Sequence, residues 1–340
     1  MKATGKPTIN DVARAAGVSK KTVSRVINKS PQLSEKTRKQ VEKTIADLGF
    51  VPNLQARAFA LRRNFIIAVI HDNPNAQLLV NVQQGVLEGI ADTEFGLMVQ
   101  PVDRTSPTIA EDIREFLERQ RPFGVVLLPP ISERDDLAEL CREAGCRFVR
   151  MGSVKLDEAE HTVTSNDREA VREAVTYLID KGHSRIALIE GPPGFTSPRE
   201  RRGGFEEAMA QAGIAVDDEL VKPGTYTFES GVNAGEELVR MTKPPTAIFA
   251  CNDEMAIGAM IAARRNGLLI PEDISIVGFD DTPLSSHVWP NLTTVHWPIV
   301  DMARAAAKKI IGPPEQAASA EWLLPSTLME RGSVVPPKAK

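Results

Sequence analysis

The feature that most constrains the fold is the alternation of short apolar runs with helix-length segments along most of the chain. From residue 65 onward, runs of five to seven residues rich in Val, Ile and Leu alternate with amphipathic segments. Such runs are typical of strands buried on both faces, with the intervening helices covering a parallel sheet. The sequence therefore predicts an α/β fold of doubly wound parallel sheets. The predicted strands are 65–70, 95–100, 123–129, 146–151, 185–190, 247–251 and 274–279, and the predicted helices are 76–91, 107–119, 134–144, 167–181, 198–212, 229–240 and 252–267.

The strands are too many for a single lobe. Two later apolar runs, 292–295 and 322–325, return the chain to the sheets. We therefore predict a two-lobed core with crossovers near residues 162, 292 and 325. The first lobe is expected to comprise 65–162 and 293–324, the second 163–291 and 325–335, and the tail 336–340.

The net charge of −4 conceals a basic N-terminal segment joined to an acidic remainder. Residues 1–63 contain 14 Lys and Arg against 4 Asp and Glu, whereas the other 277 residues contain 27 against 41. A basic segment of this kind attracts polyanions, and an acidic body keeps a protein soluble. The charge pattern favours a polyanion-binding module joined to a regulatory body.

Capping signals divide the basic segment into three short helices. Thr8 can cap the first helix and Gly17 can end it, while Ser19 can cap the second. A third helix is predicted over 34–48, with Gly49 in a left-handed C-cap position. Two helices around a tight turn, followed by a third, predict a helix-turn-helix domain.

The second helix of such a domain enters the major groove of DNA with its N-terminal residues first. We predict that Lys20, Lys21 and Arg25 read base edges, because their long side chains donate to guanine O6 and N7. The alternative is a structural bundle with solvated basic residues, which the agreement of caps, turn and charge disfavours. Hydroxyl and amide groups at cap and turn positions are predicted to contact phosphates; these are Thr8, Ser19, Thr22, Ser24, Asn28 and Thr37.

Several segments carry a family resemblance. The head contains TINDVARAAGVSKKTVSRVIN followed by SEKTRKQVEKTIADLGFVPN, which closely resembles the DNA-binding head of LacI/GalR-type bacterial transcription regulators. FACNDEMAIGAM, ISIVGFDD and NLTTVHWP resemble the effector-binding core of that family, which is similar to periplasmic sugar-binding proteins. The resemblance implies a DNA-binding domain over 1–50, a hinge over 51–64 and an effector-binding and dimerisation core over 65–335. It also implies a repressor that a small sugar-type effector releases from a pseudopalindromic operator.

The effector site is expected outside the carboxyl ends of the strands, where parallel sheets bind their ligands. Asp72 follows the first apolar run, and Arg150 lies near the end of the fourth. The family resemblance implies that Arg201, Asn252 and Asp280 contact the effector. Guanidinium, amide and carboxylate groups hydrogen-bond sugar hydroxyls well, because a hydroxyl both donates and accepts.

Other residues near this site leave alternatives open. Trp289 and Trp297 flank a predicted crossover between lobes, where each can stack on a sugar face or pack in the core. Arg150 stands where several sugar-binding relatives carry an acidic group, which is compatible with a different hydroxyl pattern or with an anionic effector. Asp253 and Asp281 are expected to cap helices rather than to bind ligand.

The hinge is expected to enter the minor groove at the operator centre, as the resemblance implies. It reads Ala56-Arg57-Ala58-Phe59-Ala60-Leu61, and its register places Phe59 at the position of the intercalating wedge. An inserted ring unstacks a base step and kinks the duplex. We predict minor-groove contacts for Ala56, Arg57 and Phe59; the alternative is that Phe59 packs on the body and Leu61 intercalates.

Other protein classes find little support in the sequence. There is no GxSxG, HExxH or P-loop motif, and the five histidines have no evident nucleophile partner, so we expect no enzymatic activity. The three cysteines lack disulfide and zinc spacing, so we expect neither a metal nor a cofactor. We expect a cytoplasmic protein that binds no membrane, because no uncharged apolar stretch approaches about 20 residues and no signal peptide is evident.

The expected partners are double-stranded operator DNA, a sugar or glycoside effector and a second copy of the chain. No leucine heptad follows the last apolar run, so we expect a homodimer rather than a tetramer. One alternative is a purine- or nucleoside-responsive regulator that uses a corepressor. Another is a DNA-tethered enzyme or a binding module without regulatory coupling.

Overall fold

The computed structural model describes residues 6–28, 32–51, 64–73, 75–194, 196–319 and 322–338. The chain divides into two compact units, residues 1–65 and residues 66–340. Within the described ranges, no helix is long and apolar enough to cross a membrane.

The first unit contains three helices around a small apolar core. The buried side chains Val12, Val23, Val26 and Val41 form the centre of this core. Gly17 has a φ of +62° and makes the tight turn between the first two helices. The helix-turn-helix domain predicted from the sequence is confirmed. Its helices are α1 (Ile9–Ala15), α2 (Lys20–Ile27) and α3 (Glu35–Leu48).

The ends of these helices carry the caps predicted at Thr8, Ser19 and Gly49, and a further cap at Ser34. Thr8 and Asp11 form a reciprocal capping box at the start of α1. Ser19 caps α2 by accepting a hydrogen bond from a backbone N–H of the first turn, and Ser34 does the same for α3. Gly49 ends α3 in the left-handed conformation, with a φ of +61°.

The second unit alternates strands and helices. In its described part the strands are β1 (Ile66–His71), β2 (Gly96–Pro101), β3 (Gly124–Leu127), β4 (Arg147–Gly152), β5 (Thr162–Ser165), β6 (Ile186–Ile189), β7 (Val221–Lys222), β8 (Ala247–Ala250), β9 (Ser275–Asp280), β10 (Thr293–His296), β11 (Leu323–Leu324) and β12 (Thr327–Met329). The helices are α4 (Ala76–Gly89), α5 (Ile109–Gln120), α6 (Asp135–Glu143), α7 (Asp167–Asp180), α8 (Thr196–Gln211), α9 (Phe228–Val239), α10 (Asp253–Arg265), α11 (Pro283–His287), α12 (Ile299–Ile311) and α13 (Pro314–Ser319).

These strands form two six-stranded sheets, one in each lobe. The first sheet has the order β11-β5-β4-β3-β1-β2, and all of its strand pairs are parallel. The second has the order β12-β10-β9-β8-β6-β7, and only the edge strand β12 runs antiparallel to its neighbour. Helices cover the buried faces, so the predicted doubly wound architecture is confirmed.

Two of the predicted crossovers lie a few residues too early. The strand Thr162–Ser165 pairs with β4 and therefore belongs to the first lobe, although the sequence predicted that this lobe ends at 162. The strand Thr293–His296 pairs with β9 in the second lobe, although 293–324 was predicted to lie in the first. Strand pairing decides lobe membership, and short strands such as these give no local sign of which sheet they join.

The close contact between α4 and α12 is part of the packing of the first lobe. A Cβ atom added at Gly85 would lie 2.2 Å from the carbonyl oxygen of Val300, so only glycine allows this approach of the two backbones. A second apolar cluster packs α5 and α6 against the first sheet, with Ile70, Ile113 and Leu137 fully buried in it.

Candidate functional site

The first candidate surface is the N-terminal end of α2. Val23 and Val26 are buried in the core of the head, so that the opposite face of this helix is turned to solvent. Lys20 and Lys21 are exposed, and Arg25 is half-buried. The helix therefore presents two exposed positive charges at the end that a helix-turn-helix domain inserts into the major groove.

The six predicted phosphate contacts lie in local hydrogen-bonded pairs on the head. The Thr8 hydroxyl donates to Asp11, Ser19 pairs with Thr22, and the Asn28 amide donates to the Ser24 hydroxyl. Thr37 pairs with the cap residue Ser34 in the same way. These bonds fix the hydroxyl groups at the surface, where each is exposed or half-buried. The hinge residues Ala56, Arg57, Phe59 and Leu61 lie outside the described residues.

The second candidate site is a cavity of about 940 Å³ between the two lobes of the core. Its walls lie at the carboxyl ends of the strands: Asp72 follows β1, Asn252 follows β8 and Asp280 is the last residue of β9. This is where parallel sheets bind ligands. Of the seven residues predicted for the effector site, the structure brings five to this cavity: Asp72, Arg201, Asn252, Asp280 and Trp297.

Arg201 forms the centre of a buried ionic cluster at the cavity wall. Its Nε donates to the Asp167 carboxylate at 2.9 Å, and its Nη1 lies 3.9 Å from the carboxylate of Asp280. The guanidinium also stacks 3.6 Å from the centre of the Phe279 ring. Burial disfavours the charge on Arg201, but Tyr226, Asp167 and Asp280 outweigh burial and raise its pKa. The cluster therefore holds a permanent cation between two carboxyl groups.

Asp280 occupies an unusual position in this cluster. Its φ of +113° lies in the region that favours glycine, which is a strained conformation for any other residue. Burial raises the pKa of its carboxyl well above the usual range. Residues held in this way concentrate at binding sites, where the surrounding structure keeps the side chain in one orientation.

Asn252 and Trp297 line the cavity while also holding the fold together. The Asn252 side chain accepts from Met255 N as the cap of α10 and donates to the Tyr226 carbonyl. The Trp297 indole N–H donates to the Ser165 hydroxyl, and 9% of the residue is exposed. The polar side-chain atoms of both residues are thus already bonded within the protein. Asn252 and Trp297 therefore shape the cavity wall more than they provide free hydrogen-bonding groups for a ligand.

Two residues predicted to bind effector do not line the cavity, and both predictions are corrected. Arg150 is buried, and it donates to the Ser132 carbonyl at 2.6 Å and to the Asp135 carboxylate at 2.8 Å. Its guanidinium thus holds together loops of the first lobe. Trp289 is 79% exposed and does not line the cavity, so its ring cannot stack on a ligand bound there.

The predicted caps at Asp253 and Asp281 are also wrong. The cap of α10 is Asn252, one residue earlier, and the buried Asp253 carboxylate instead accepts from the Thr282 N–H and from the Thr294 hydroxyl. Asp281 accepts from the Arg331 guanidinium and bonds to His296. Both carboxylates connect loops that are distant in the sequence.

Sequence reasoning missed several residues of the cavity wall. Arg104 follows β2 and lies 3.3 Å from the Asp72 carboxylate, and Ser153 follows β4. Tyr226, Glu229 and Glu254 also line the cavity. The rule that ligands lie beyond strand ends would have included Arg104 and Ser153, but it selects many residues and does not rank them. Among the described residues, no group of three or more His, Cys, Asp or Glu side chains could hold a metal ion.

Comparison with known proteins identifies both units. Residues 8–53 match the family described as "Bacterial regulatory proteins, lacI family", and residues 175–334 match the family described as "Periplasmic binding protein-like domain". The chain is 33% identical over 335 residues to a protein of Bacillus subtilis named "Probable HTH-type transcriptional repressor ExuR", covering 96% of this chain and 98% of the relative.

Two solved structures resemble nearly the whole chain. The first is a complex of the transcriptional regulator CelR with cellobiose, which is 32% identical, has a TM-score of 0.69 and covers 96% of this chain and 100% of its own. The second is the lac repressor dimer bound to operator and the anti-inducer ONPF, which is 26% identical, has a TM-score of 0.79 and covers 97% of this chain and 100% of its own. Both are regulators of transcription by name.

Proposed function

Because the chain belongs to the lacI family of bacterial regulatory proteins, we propose that it is a repressor that a small carbohydrate releases from its operator DNA. The observation that carries this proposal is the combination of two features in one chain. A helix-turn-helix head presents exposed lysines, and a two-lobed core encloses a polar cavity of about 940 Å³ at the ends of its strands. A cavity of this size suits a small ligand, because ligand sites commonly enclose about 300–1,000 Å³.

The head reads the operator through α2. Lys20, Lys21 and Arg25 contact base edges, while the hydroxyl groups around the helix caps contact phosphates and set the register. Two copies of the chain place two such helices in successive major grooves, about 34–36 Å apart. The operator is therefore a pseudopalindrome, and the hinge residues Ala56, Arg57 and Phe59 contact the minor groove at its centre.

The cavity wall supports a carbohydrate as the effector. Arg201, Asp280 and Asp72 supply charged donors and acceptors for hydroxyl groups, and Trp297 supplies an aromatic surface for the face of a sugar ring. The similar regulator CelR was solved as a complex with a sugar, cellobiose. Residues of both lobes line the cavity, so a bound ligand favours the arrangement of the lobes that it contacts best.

The effector changes DNA binding at a distance by favouring one arrangement of the two lobes. A ligand that contacts both lobes changes their relative stability, and the change passes to the DNA-binding surface through the dimer. Coupling free energies of this kind are about 1–3 kcal/mol, which corresponds to a roughly 5–150-fold change in operator affinity. We expect the effector to weaken operator binding, as the release mechanism requires.

Operator binding by the full chain tests this proposal. Sites are selected from random duplex DNA, and their affinity is measured by fluorescence anisotropy at fixed salt with and without cellobiose, glucose, galactose or ribose. We expect a pseudopalindromic site and a loss of affinity of at least fivefold with one of these sugars. Failure to select any preferred site, or a selected site that no sugar affects, would contradict the proposal.

The Asp280→Asn variant separates the two activities. Asparagine, like aspartate, is enriched among residues with a positive φ, but it replaces one carboxyl oxygen beside Arg201 with an amide nitrogen that cannot accept a hydrogen bond. We expect this variant to bind the operator as the wild type does and to lose at least tenfold in effector sensitivity. Asp180→Asn, an exposed position at the end of α7, serves as the control and keeps both properties.

A further inference from the structure

The charges around the cavity are strongly unbalanced. Two arginines lie in the wall, and carboxyl groups outnumber them by three, or by two when Asp280 is protonated. Burial raises the pKa of the Asp280 carboxyl, and with Asp280 either charged or neutral the wall carries more carboxylates than arginines. Among the described residues the acidic members are Asp72, Asp167, Glu229, Glu254 and Asp280, and the basic members are Arg104 and Arg201.

Both arginines of the wall are already matched by carboxylates of the protein. Arg201 donates to Asp167 and lies near Asp280. The Arg104 Nε lies 3.3 Å from Oδ2 of Asp72. A ligand carboxylate or phosphate that approached either arginine would therefore also meet a negative charge of the protein, and like charges in a partly desolvated site repel strongly.

The wall also contains buried polar atoms that have no hydrogen-bond partner in the described structure. Oδ1 of Asp72 is buried and has no hydrogen-bond partner in the described structure, and the Asp72 side chain as a whole is 8% exposed. The Ser153 hydroxyl, at the end of β4, is likewise buried without a partner. A buried acceptor without a donor is unfavourable, so Asp72 is poised to accept a hydrogen bond from a hydroxyl group that enters the cavity.

We propose that the cavity admits uncharged polyhydroxylated ligands and rejects anionic ones, such as uronates and sugar phosphates, and that Asp72 determines this specificity. This inference rests on the carbohydrate effector proposed above. Oδ2 of Asp72 neutralises Arg104, so Arg104 does not recruit a ligand carboxylate. Oδ1 accepts from a ligand hydroxyl and repels the carboxylate or phosphate group of an anionic ligand.

Two further carboxylates strengthen this selection. Glu229 and Glu254 lie in the first turns of α9 and α10 and line the cavity, and neither forms an ion pair with Lys or Arg among the described residues, so each adds a carboxylate without a basic partner to the wall. The anionic effector left open by the sequence depended on Arg150, whose guanidinium is held by Asp135 and the Ser132 carbonyl away from the cavity.

The test compares sugars that differ mainly in charge. Isothermal titration calorimetry of the full chain measures the affinity for each uncharged sugar and for its anionic counterpart. The pairs are glucose and glucuronate, galactose and galacturonate, ribose and ribose 5-phosphate, and cellobiose and cellobiose 6′-phosphate. We expect the uncharged member of at least one pair to bind and its anionic counterpart to bind at least about 30-fold more weakly, as repulsion by the excess carboxylates requires. Operator release is measured with the same sugars.

Three variants test whether Asp72 causes the preference for uncharged ligands. Asp72→Asn leaves Arg104 without its carboxylate, so we expect the ratio of anionic to uncharged affinity to rise at least about tenfold. Asp103→Asn removes a charge that is also next to Arg104 in the sequence but lies on an exposed loop outside the cavity wall, and it is expected to leave the ratio within about twofold. Ser153→Ala, which changes no charge, is expected to weaken the uncharged sugar about fivefold at an unchanged ratio.

The outcomes distinguish this inference from the proposed function. An anionic sugar that binds as tightly as its uncharged counterpart and releases the operator would overturn the inference and leave the repressor function intact. The role assigned to this part of the wall would be overturned if the ratio of anionic to uncharged affinity is the same in Asp72→Asn as in the wild type. If Asp72→Asn does not fold, an unchanged affinity of Ser153→Ala for the uncharged sugar would overturn it. Binding of no sugar in either class would overturn the carbohydrate effector, and the inference with it.

Discussion

Glu133 joins the two lobes of the core through a single backbone group. It lies in a short 3₁₀ turn after β3 in the first lobe, and both of its carboxylate oxygens lie 2.9 Å from the backbone N of Thr196. Thr196 begins α8 in the second lobe, where helix N–H groups have no partner within the helix. The negative charge also complements the positive end of the helix dipole. The contact therefore stabilises the lobe arrangement seen in this structure.

The size of this stabilisation follows from the geometry. A hydrogen bond to a charged group contributes about 1.5–3 kcal/mol, and the half-buried position of Glu133 places it at the lower end. With the helix dipole, the total is about 2 kcal/mol. If the effector binds only this arrangement, Glu133→Ala should weaken its apparent affinity up to about 30-fold. Glu133→Gln keeps a neutral acceptor, so its loss should be about fivefold.

Calorimetric titration with a sugar that releases the operator measures this effect. Glu118→Ala is the matched control, because this glutamate lies exposed on α5 of the same lobe. Small-angle X-ray scattering of the ligand-free protein should show a larger radius of gyration for Glu133→Ala than for the wild type. If Glu133→Ala binds the sugar within twofold of the wild type and scatters identically, the contact contributes nothing to the lobe arrangement and the reasoning is refuted.

Three further predictions concern DNA specificity, pH and packing. Lys20→Ala and Lys21→Ala should each lower discrimination between operator variants by about 1–3 kcal/mol; equal weakening on all DNA sequences in a binding-site scan would make them phosphate contacts instead. Hydrogen bonds from His296 and Arg331 lower the pKa of Asp281 to about 2. The ionised carboxylate therefore stabilises the folded state above pH 4, and this stabilisation is lost as the pH falls toward 2. Urea unfolding should show that, between pH 5 and pH 3, the wild type loses about 1 kcal/mol more stability than Asp281→Asn; equal losses would argue against the shift. Gly85→Ala should destabilise the core by about 1–3 kcal/mol in the same assay, because the added Cβ meets the Val300 carbonyl, and an unchanged midpoint would show that α4 and α12 can separate at no cost.

Much of the secondary structure follows from local signals in the sequence. The predicted strand 65–70 is observed as Ile66–His71, and 274–279 as Ser275–Asp280. The caps at Thr8, Ser19 and Gly49 appear as expected. Apolar periodicity and capping depend on residues within a few positions of each other, so they can be recognised without knowledge of the fold. The strands β5, β7 and β12 and the helices α11 and α13 were missed, because they are too short to show a period. The helix α12 was missed because it was not separated from the crossover before it.

The candidate site was only partly visible in the sequence. The rule for strand ends and the family resemblance together selected Asp72, Arg201, Asn252 and Asp280, all of which line the cavity. The same reasoning selected Arg150, which lies near the carboxyl end of β4. What separates Asp72 from Arg150 is that Arg150 finds partners in the Ser132 carbonyl and the Asp135 carboxylate, whereas one oxygen of Asp72 finds none in the described structure.

The sequence by itself determined the class of fold, the helix-turn-helix head and the elements that carry the site, because each depends on local patterns of apolar, capping and charged residues. The tertiary structure alone decided which sheet β5 and β10 join, that Asn252 rather than Asp253 caps α10, and that Arg104 neutralises Asp72. These outcomes depend on hydrogen bonds and ion pairs between residues far apart in the chain. Whether a polar side chain serves the fold or faces a ligand is settled by which partners the packed chain brings to it.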